Sequence, residues 1–440
     1  MTIRSVPGSD LRYYLVAFDK DGREQGDPDA GGGPISQEIV TALTRDAITD
    51  VFVLSHGWKG DLPAAVEQYD NWIGAMGACT NDRQRARAKW PDFKSLIIGF
   101  HWPSQPWGDE KNDGSFAVDG TGGGADAFID GWAGRIADTP AARDALRVIY
   151  DSALEEIEPD RLSPEVVKAY RTLEREAELR ADGVSGAPDA DREPLDPQLS
   201  YEEASLDDAS FGGGLGDGLL SPLRQLSFWT MKKRARSVGE SGGHGLLRTI
   251  RQARPGVRLH LMGHSFGCIV VSGMVHGPKG VADVPVSSMI LVQGAMSLWS
   301  YCDDIPEKRG SAGYFRNVMT RKAVSGPIVV TTSKFDGAVG KWYPRAASPA
   351  RQVDFGGGNA LPKYGAIGTF GLQGAGLQLQ QSDLATDIAH DYGFAPGHVY
   401  NLNSDGVIKT GGGSSGAHSD IAHVEVGHAF WEAVLATPDR

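Results

Sequence analysis

The residues that could do chemistry gather around one serine. Gly263-His264-Ser265-Phe266-Gly267 joins an apolar run at 257–262 to a second one at 268–271. A serine on a sharp strand-to-helix turn sits in a strained backbone conformation, and glycines two residues before and after it keep side chains out of that turn. The helix that follows aims its positive end and its unpaired N–H groups at charge developing on a carbonyl oxygen. Ser265 is therefore the candidate nucleophile. The competing explanation is a turn of small residues that lets a helix pack close to a sheet. A serine needs a base, and the base needs an orienting carboxylate. Six histidines follow Ser265: His276, His390, His398, His418, His423 and His428.

Where such a serine sits on a doubly wound sheet, the histidine belongs on the loop between the last strand and the last helix, and the chain order is Ser, Asp, His. His418 fits that place. It follows the glycine-rich stretch 411–416 and opens a helix expected over 421–435, with His423 and His428 inside it as packing residues. Asp336 follows the strong apolar run 327–331 and is the favoured acid. Asp303 and Asp304, after the run 288–292, are its rivals. Asp336-Gly337 also reads as an ordinary turn dipeptide.

A second signal lies upstream, where the run 50–54 ends in Ser55-His56-Gly57-Trp58. A main-chain N–H from the loop after an early strand completes an oxyanion hole beside that of the residue after the nucleophile. That nominates Trp58 and Phe266 as donors. Gly57 lets the backbone approach closely, and His56 reads as a structural loop residue. Gly57, His264, Trp102 and Phe335 are assigned to the substrate pocket. Trp58, Trp102, Trp107, Phe266 and Phe335 sit near loop ends, so the pocket is expected to be aromatic and apolar, unless these rings simply pack a core.

Metal and cofactor chemistry find no footing. His418, His423 and His428 are five residues apart, and at about 100° per residue their side chains would point about 140° apart on one helix. There is no His-Glu-x-x-His. Residues 337–342 imitate a phosphate loop but place Trp342 where a Ser or Thr must hold magnesium. Residues 214–218 lack the glycine spacing of a dinucleotide fingerprint. No cofactor is implied.

The elements that must position these residues are legible as alternating patterns. Apolar runs at 11–18, 50–54, 96–100, 257–262, 288–292, 327–331 and 398–402 read as strands, most of them without polar alternation. Such strands are buried on both faces, the mark of a parallel sheet covered by helices. Helical patterns lie at 63–76, 266–275 and 421–435. The fold class is α/β. From 103 to 256 no strand is expected. A charged helix spans 163–181, 182–198 reads as a linker or exposed loop, and 221–238 and 245–254 as helices.

Composition limits the partners. The 440 residues carry 43 Lys and Arg against 56 Asp and Glu, a net charge of −13. That disfavours nucleic acid and anionic lipid, which need a basic face. Three scattered cysteines form no disulfide framework or metal pair. No apolar run approaches the ~18 residues of a membrane span, so no integral membrane association is expected. The first residues hold no apolar leader core, and a cytoplasmic location is the expectation. Many of the 58 glycines cluster, at 31–33, 122–124, 212–218, 356–358 and 411–413; such clusters read as loops and are not periodic.

Ser55-His56-Gly57-Trp58, Gly263-His264-Ser265-Phe266-Gly267, Phe335-Asp336 and Gly416-Ala417-His418-Ser419 together resemble the α/β-hydrolase superfamily. Phe100-His101-Trp102-Pro103-Ser104 also looks like the Trp-Pro-Ser segment found after a strand in some bacterial esterase-like members. The resemblance covers two blocks, roughly 11–103 and 220–440. It implies an α/β-hydrolase core at 1–103 and 220–440, with 104–219 as a mainly helical insertion and candidate lid. It implies cleavage of carboxylic esters through an acyl-enzyme by Ser265, Asp336 and His418. The substrate would be a small-molecule acyl ester or a lipid-like one. Because this turn is shared by lipases, esterases, thioesterases and peptidases, a thioesterase, a phospholipase or an amidase stays open. So does a catalytically silent binding module. The departure from the family is the glycine-rich stretch 355–379 between acid and base.

Overall fold

The computed structural model describes residues 3–26, 33–58, 62–104, 124–155, 161–206, 217–348 and 361–438. Trp107 and the glycine-rich residues 31–32, 122–123, 212–216 and 355–360 lie outside these.

Each apolar run becomes a strand. The strands are β1 (Ile3–Ser5), β2 (Arg12–Ala17), β3 (Asp50–Ser55), β4 (Ser95–His101), β5 (Arg258–His264), β6 (Ser288–Val292), β7 (Ile328–Thr332), β8 (Leu379–Asp383) and β9 (Val399–Asn403). They form one sheet in the order β1-β2-β4-β3-β5-β6-β7-β9-β8. Every pairing is parallel except β1 with β2, which a short connection joins as an antiparallel pair. Alternate residues of β3 show why its run 51–54 is wholly apolar. Val51 and Val53 join the cluster formed with helices Ile35–Arg45, Asp217–Val238, His244–Ala253 and Gly267–His276. Phe52 and Leu54 join the opposite one, with Leu62–Ala78, Thr80–Lys89 and Val424–Leu435. A strand covered on both faces has no polar side to show.

The chain leaves β3 toward β4 on one side and returns as β5 on the other. The carboxyl ends of β3 and β5 therefore flank the point where strand order reverses, where open α/β sheets form their crevice. Ser55 lies opposite Gly263 in that register, so the loops bearing Gly57 and Ser265 start side by side.

Among the described residues no strand falls between β4 and β5. Helices Gly124–Arg135, Pro140–Glu155, Pro164–Glu176 and Pro197–Leu206 build an apolar cluster of their own, with Phe128, Trp132, Leu146 and Tyr170 at its centre. Ser163 caps Pro164–Glu176, its side chain accepting from the Val166 N–H. The cluster extends to Leu223 and Leu226 on Asp217–Val238, and the same helix carries Phe228 and Trp229 into the core beneath the sheet. One helix thus ties the insertion to the site end of the molecule.

Three expectations need correction. The stretch 182–198 is not an exposed linker: Asp189, Asp191 and Arg192 are buried. Its charges are satisfied internally, Asp189 by a two-point contact with Arg236 (2.9 and 3.0 Å) and Arg192 by Glu174 (2.5 Å). The last helix begins at Val424 and not at 421, with His423 as its N-cap. Asp420 accepts the Lys409 and Thr410 N–H groups (2.9 and 2.7 Å) and pairs with His423 (2.8 Å), which holds the preceding turn open. Strands β1 and β8 were not foreseen. Both are short, polar and at sheet edges, so neither carries an apolar pattern. Among the described residues no helix is long and apolar enough to cross a membrane.

Candidate active site

Strand β5 ends at His264 and the next helix begins at Gly267, which leaves Ser265 on the turn with φ +55°. For a residue with a side chain this left-handed backbone is strained and persists only where the surroundings enforce it. The enforcement is visible. Ser265 N–H donates to Val292 O (3.1 Å), and Ser265 O accepts from Ala295 N–H (3.1 Å) and Cys268 N–H (3.2 Å). A Cβ on Gly263 would lie 2.5 Å from the Gly267 carbonyl oxygen, and one on Gly267 would strike the Ser55 carbonyl. Both positions require glycine.

His418 and Asp336 meet this serine. His418 Nδ1 lies 2.7 Å from Asp336 Oδ2, and His418 Nε2 lies 2.8 Å from Ser265 Oγ. A carboxylate can only accept, so Nδ1 carries the proton and Nε2 is left to accept from the serine hydroxyl. Asp336 is buried, whereas the His418 side chain keeps 13 % exposure toward the crevice. The two loops are fastened together: Ala417 N–H donates to Phe335 O (2.8 Å), and Asp336 and Gly416 form a β-bridge. Gly416 has φ +55°, and a Cβ there would strike the Phe335 carbonyl. The rivals are engaged elsewhere, Asp303 with Arg316 (2.7 Å) and Asp304 with Arg309 (2.8 Å).

A partner that sequence reasoning missed is Gln293, the residue after β6. Its Nε2 donates to Asp336 Oδ2 (3.0 Å), the oxygen that His418 also uses, while its Oε1 accepts from Thr331 Oγ1 (3.1 Å). Its backbone is left-handed, with φ +45°. Val339 N–H donates to the other oxygen, Asp336 Oδ1 (3.1 Å). The available signal was a polar residue directly ahead of a glycine at the end of a buried strand.

The nominated oxyanion donors are neighbours. The Trp58 and Phe266 rings stack with centroids 5.3 Å apart, and Phe228 meets the Phe266 ring at 5.3 Å. A Cβ on Gly57 would lie 2.8 Å from Ser265 Cβ, so this loop runs against the serine and must be glycine there. The other pocket assignments divide. Phe335 is 42 % exposed at the rim. Trp102 is fully buried, not on a pocket wall; its Nε1–H donates to the His56 carbonyl (3.1 Å). His264 is buried too, and supports the histidine loop: its Nε2–H donates to His418 O (2.8 Å), and its Nδ1 accepts from Gln68 Nε2–H (3.2 Å).

The three late histidines serve separate carboxylates: His418 binds Asp336, His423 binds Asp420 and His428 binds Asp82 (2.7 Å). Asp82, His428 and Glu432 converge closely enough to suggest a cation site. Arg85 already supplies the cation there, bonded to Asp82 (3.1 Å) and to Glu432. This network ties helix Thr80–Lys89 to the last helix. Chemically, the Ser265 assembly can strip a proton from the serine hydroxyl and hold the resulting imidazolium beside a buried carboxylate. No family model, no curated protein and no solved structure matches the chain.

Proposed function

We propose that this protein is a serine hydrolase of the α/β-hydrolase type that cleaves carboxylic esters. The carrying observation is the unbroken chain from Asp336 through His418 to a serine held at φ +55° on a strand-to-helix turn. Ser265 Oγ attacks the acyl carbon as its proton passes to His418 Nε2. Asp336 stabilises the imidazolium, and the Trp58 and Phe266 N–H groups bind the oxyanion. The C–O bond to the alcohol then breaks, and His418 delivers its proton to the departing oxygen. Water repeats the cycle and releases the acid, restoring Ser265.

The half-buried Trp58 ring, packed against the buried Phe228 and Phe266 rings next to the serine, favours an apolar acyl portion. In this reading the helical insertion caps the crevice, since the helix that completes its core also places Phe228 against Phe266. Thioesters, phospholipids and amides are substrates of the same machinery and are separated by assay. The test is turnover of a series of p-nitrophenyl esters by the parent chain and by Ser265→Ala. The parent is expected to turn over the medium and longer chains. The variant should fold normally and lose about 10⁵-fold or more in kcat. Equal turnover by both would refute the proposal.

A further inference from the structure

The loop after β3 holds a buried histidine, one ring nitrogen of which touches the peptide joining Gly57 to Trp58. We infer that His56 is a positioning residue: its ring N–H fixes the plane of the peptide joining Gly57 to Trp58, and so aims the Trp58 N–H at the oxyanion. This rests on the hydrolase reading above. His56 Nδ1 lies 2.8 Å from the Gly57 carbonyl oxygen. That oxygen has no proton to give, so Nδ1–H is the donor. In a trans peptide the C=O and N–H point opposite ways within one rigid plane, so a pinned Gly57 carbonyl sets the direction of the Trp58 N–H. No cis peptide occurs among the described residues. Ser104 Oγ stands farther from the same ring nitrogen, at 3.5 Å.

The histidine cannot easily move. Its N–H donates to Tyr69 Oη (3.0 Å), and that hydroxyl donates onward to Phe100 O (2.6 Å). Its own carbonyl accepts from Trp102 Nε1–H (3.1 Å). With Nδ1 protonated, Nε2 is an acceptor, and it faces His101 Nδ1 (3.0 Å) and the Trp102 N–H (3.4 Å). The His101 and Trp102 rings lie alongside the His56 ring, with centroids 5.0 and 5.8 Å away. Burial, with His101 alongside, pushes the His56 pKa down to about 3, so the ring stays neutral, and the Gly57 carbonyl selects the Nδ1–H tautomer. The end of strand β4 and the residue after it, Phe100 to Trp102, thus supply the frame that orients a donor on the loop after β3. Trp102 belongs to that frame.

Two near-isosteric replacements separate the contacts. Asn at 56 puts an amide nitrogen in the place of Nδ1 and can still donate to Gly57 O. Gln puts one in the place of Nε2 and cannot. Removing an oxyanion donor outright costs roughly 10²–10³ in kcat, and a misaimed donor should cost somewhat less. His56→Gln is expected to lower kcat by about 30- to 100-fold with KM within about twofold. His56→Asn should lose less than about fivefold in kcat, even though it gives up the contacts to His101 and Trp102 and melts at least as early as His56→Gln. Loss of kcat that follows melting temperature, or equal kcat in the Gln variant and the parent, would overturn the inference. The same samples are exposed to a fluorophosphonate. An adduct on the parent with equal kcat in the Gln variant overturns this inference alone. No adduct and no turnover in the parent removes the hydrolase reading and this inference with it.

Discussion

Two Ser, His, Asp sets occupy opposite ends of strand β5, and they differ in everything except residue type. At the carboxyl end, Ser265, His418 and Asp336 lie on loops, with the serine strained and the histidine open to the crevice. At the other end, His260 lies 2.8 Å from Ser288 Oγ and 3.2 Å from Asp50 Oδ1, all three fully buried among β3, β5 and β6. There Asp50 is also gripped by Arg258 through two contacts of 2.6 Å and by Thr49 (2.5 Å). Ser288 sits in a regular strand position and meets no crevice. If Ser265 is the nucleophile, as proposed, hydrogen bonds among Ser, His and Asp do not by themselves make one. In the proposed reading the serine also needs strain, access and donors for the oxyanion; the strain and the access are found at the carboxyl end of the sheet and not at the amino end.

The largest expected contrast is between the two serines. Ser265→Ala should cost about 10⁵-fold or more in kcat with little change in stability. Ser288→Ala should leave kcat within about twofold and cost about 1 kcal/mol of stability, the worth of a buried hydrogen bond. The two aspartates should repeat that pattern, with a larger loss of stability at the amino end. Asp336→Asn is expected to lower kcat about 10⁴-fold, because the amide favours the wrong tautomer of His418. Asp50→Asn should leave kcat nearly intact but destabilise by about 3–5 kcal/mol, since Arg258 is left without a counter-charge. Thermal unfolding and ester turnover on the same four variants test both statements, and a kcat loss in Asp50→Asn would break the comparison.

The contrast also explains what could be read from the chain. The strands β3, β5, β6, β7 and β9 were legible because each holds a short apolar run without the polar alternation of a strand that faces water on one side. β1 and β8 were not, because edge strands of three and five residues need no such pattern. Ser265, Asp336 and His418 were found from their order and from the loops that follow strands, and these three do meet in space. Gln293 and the supporting role of His264 could not be found that way. Each depends on which loop lies across from it, and that is set by sheet order. The set around His260 was invisible for the same reason, since its members meet only through the register of neighbouring strands. The stretch 182–198 misled because Pro- and Asp-rich composition normally marks a loop, and here paired charges let it be buried.

Smaller effects sharpen the picture. Gln293→Leu removes one of two donors to Asp336 Oδ2 and should lower kcat about tenfold with KM unchanged, an indirect effect smaller than loss of a group acting in the transition state. A drop in kcat beyond that of Asp336→Asn would contradict the supporting role. Acid stability reports on the other end of the sheet. Burial alone would raise the Asp50 carboxyl pKa, but hydrogen bonds from His260 and Arg258 hold it down at about 2. A carboxyl held below its unfolded value contributes stability that is present above about pH 4 and lost as pH falls toward 2, worth about 2 kcal/mol here. Asp50→Asn should flatten that limb of the stability curve, and an unchanged slope would assign it to other groups.

The most direct test of the central claim is the intact mass of the chain after reaction with a fluorophosphonate, with Ser265→Ala beside it. The reagent bonds phosphorus to an activated serine oxygen and expels fluoride. The account predicts one adduct on the parent and none on Ser265→Ala, with Ser288→Ala labelled like the parent. No adduct on the folded parent, or equal labelling of Ser265→Ala, would contradict it.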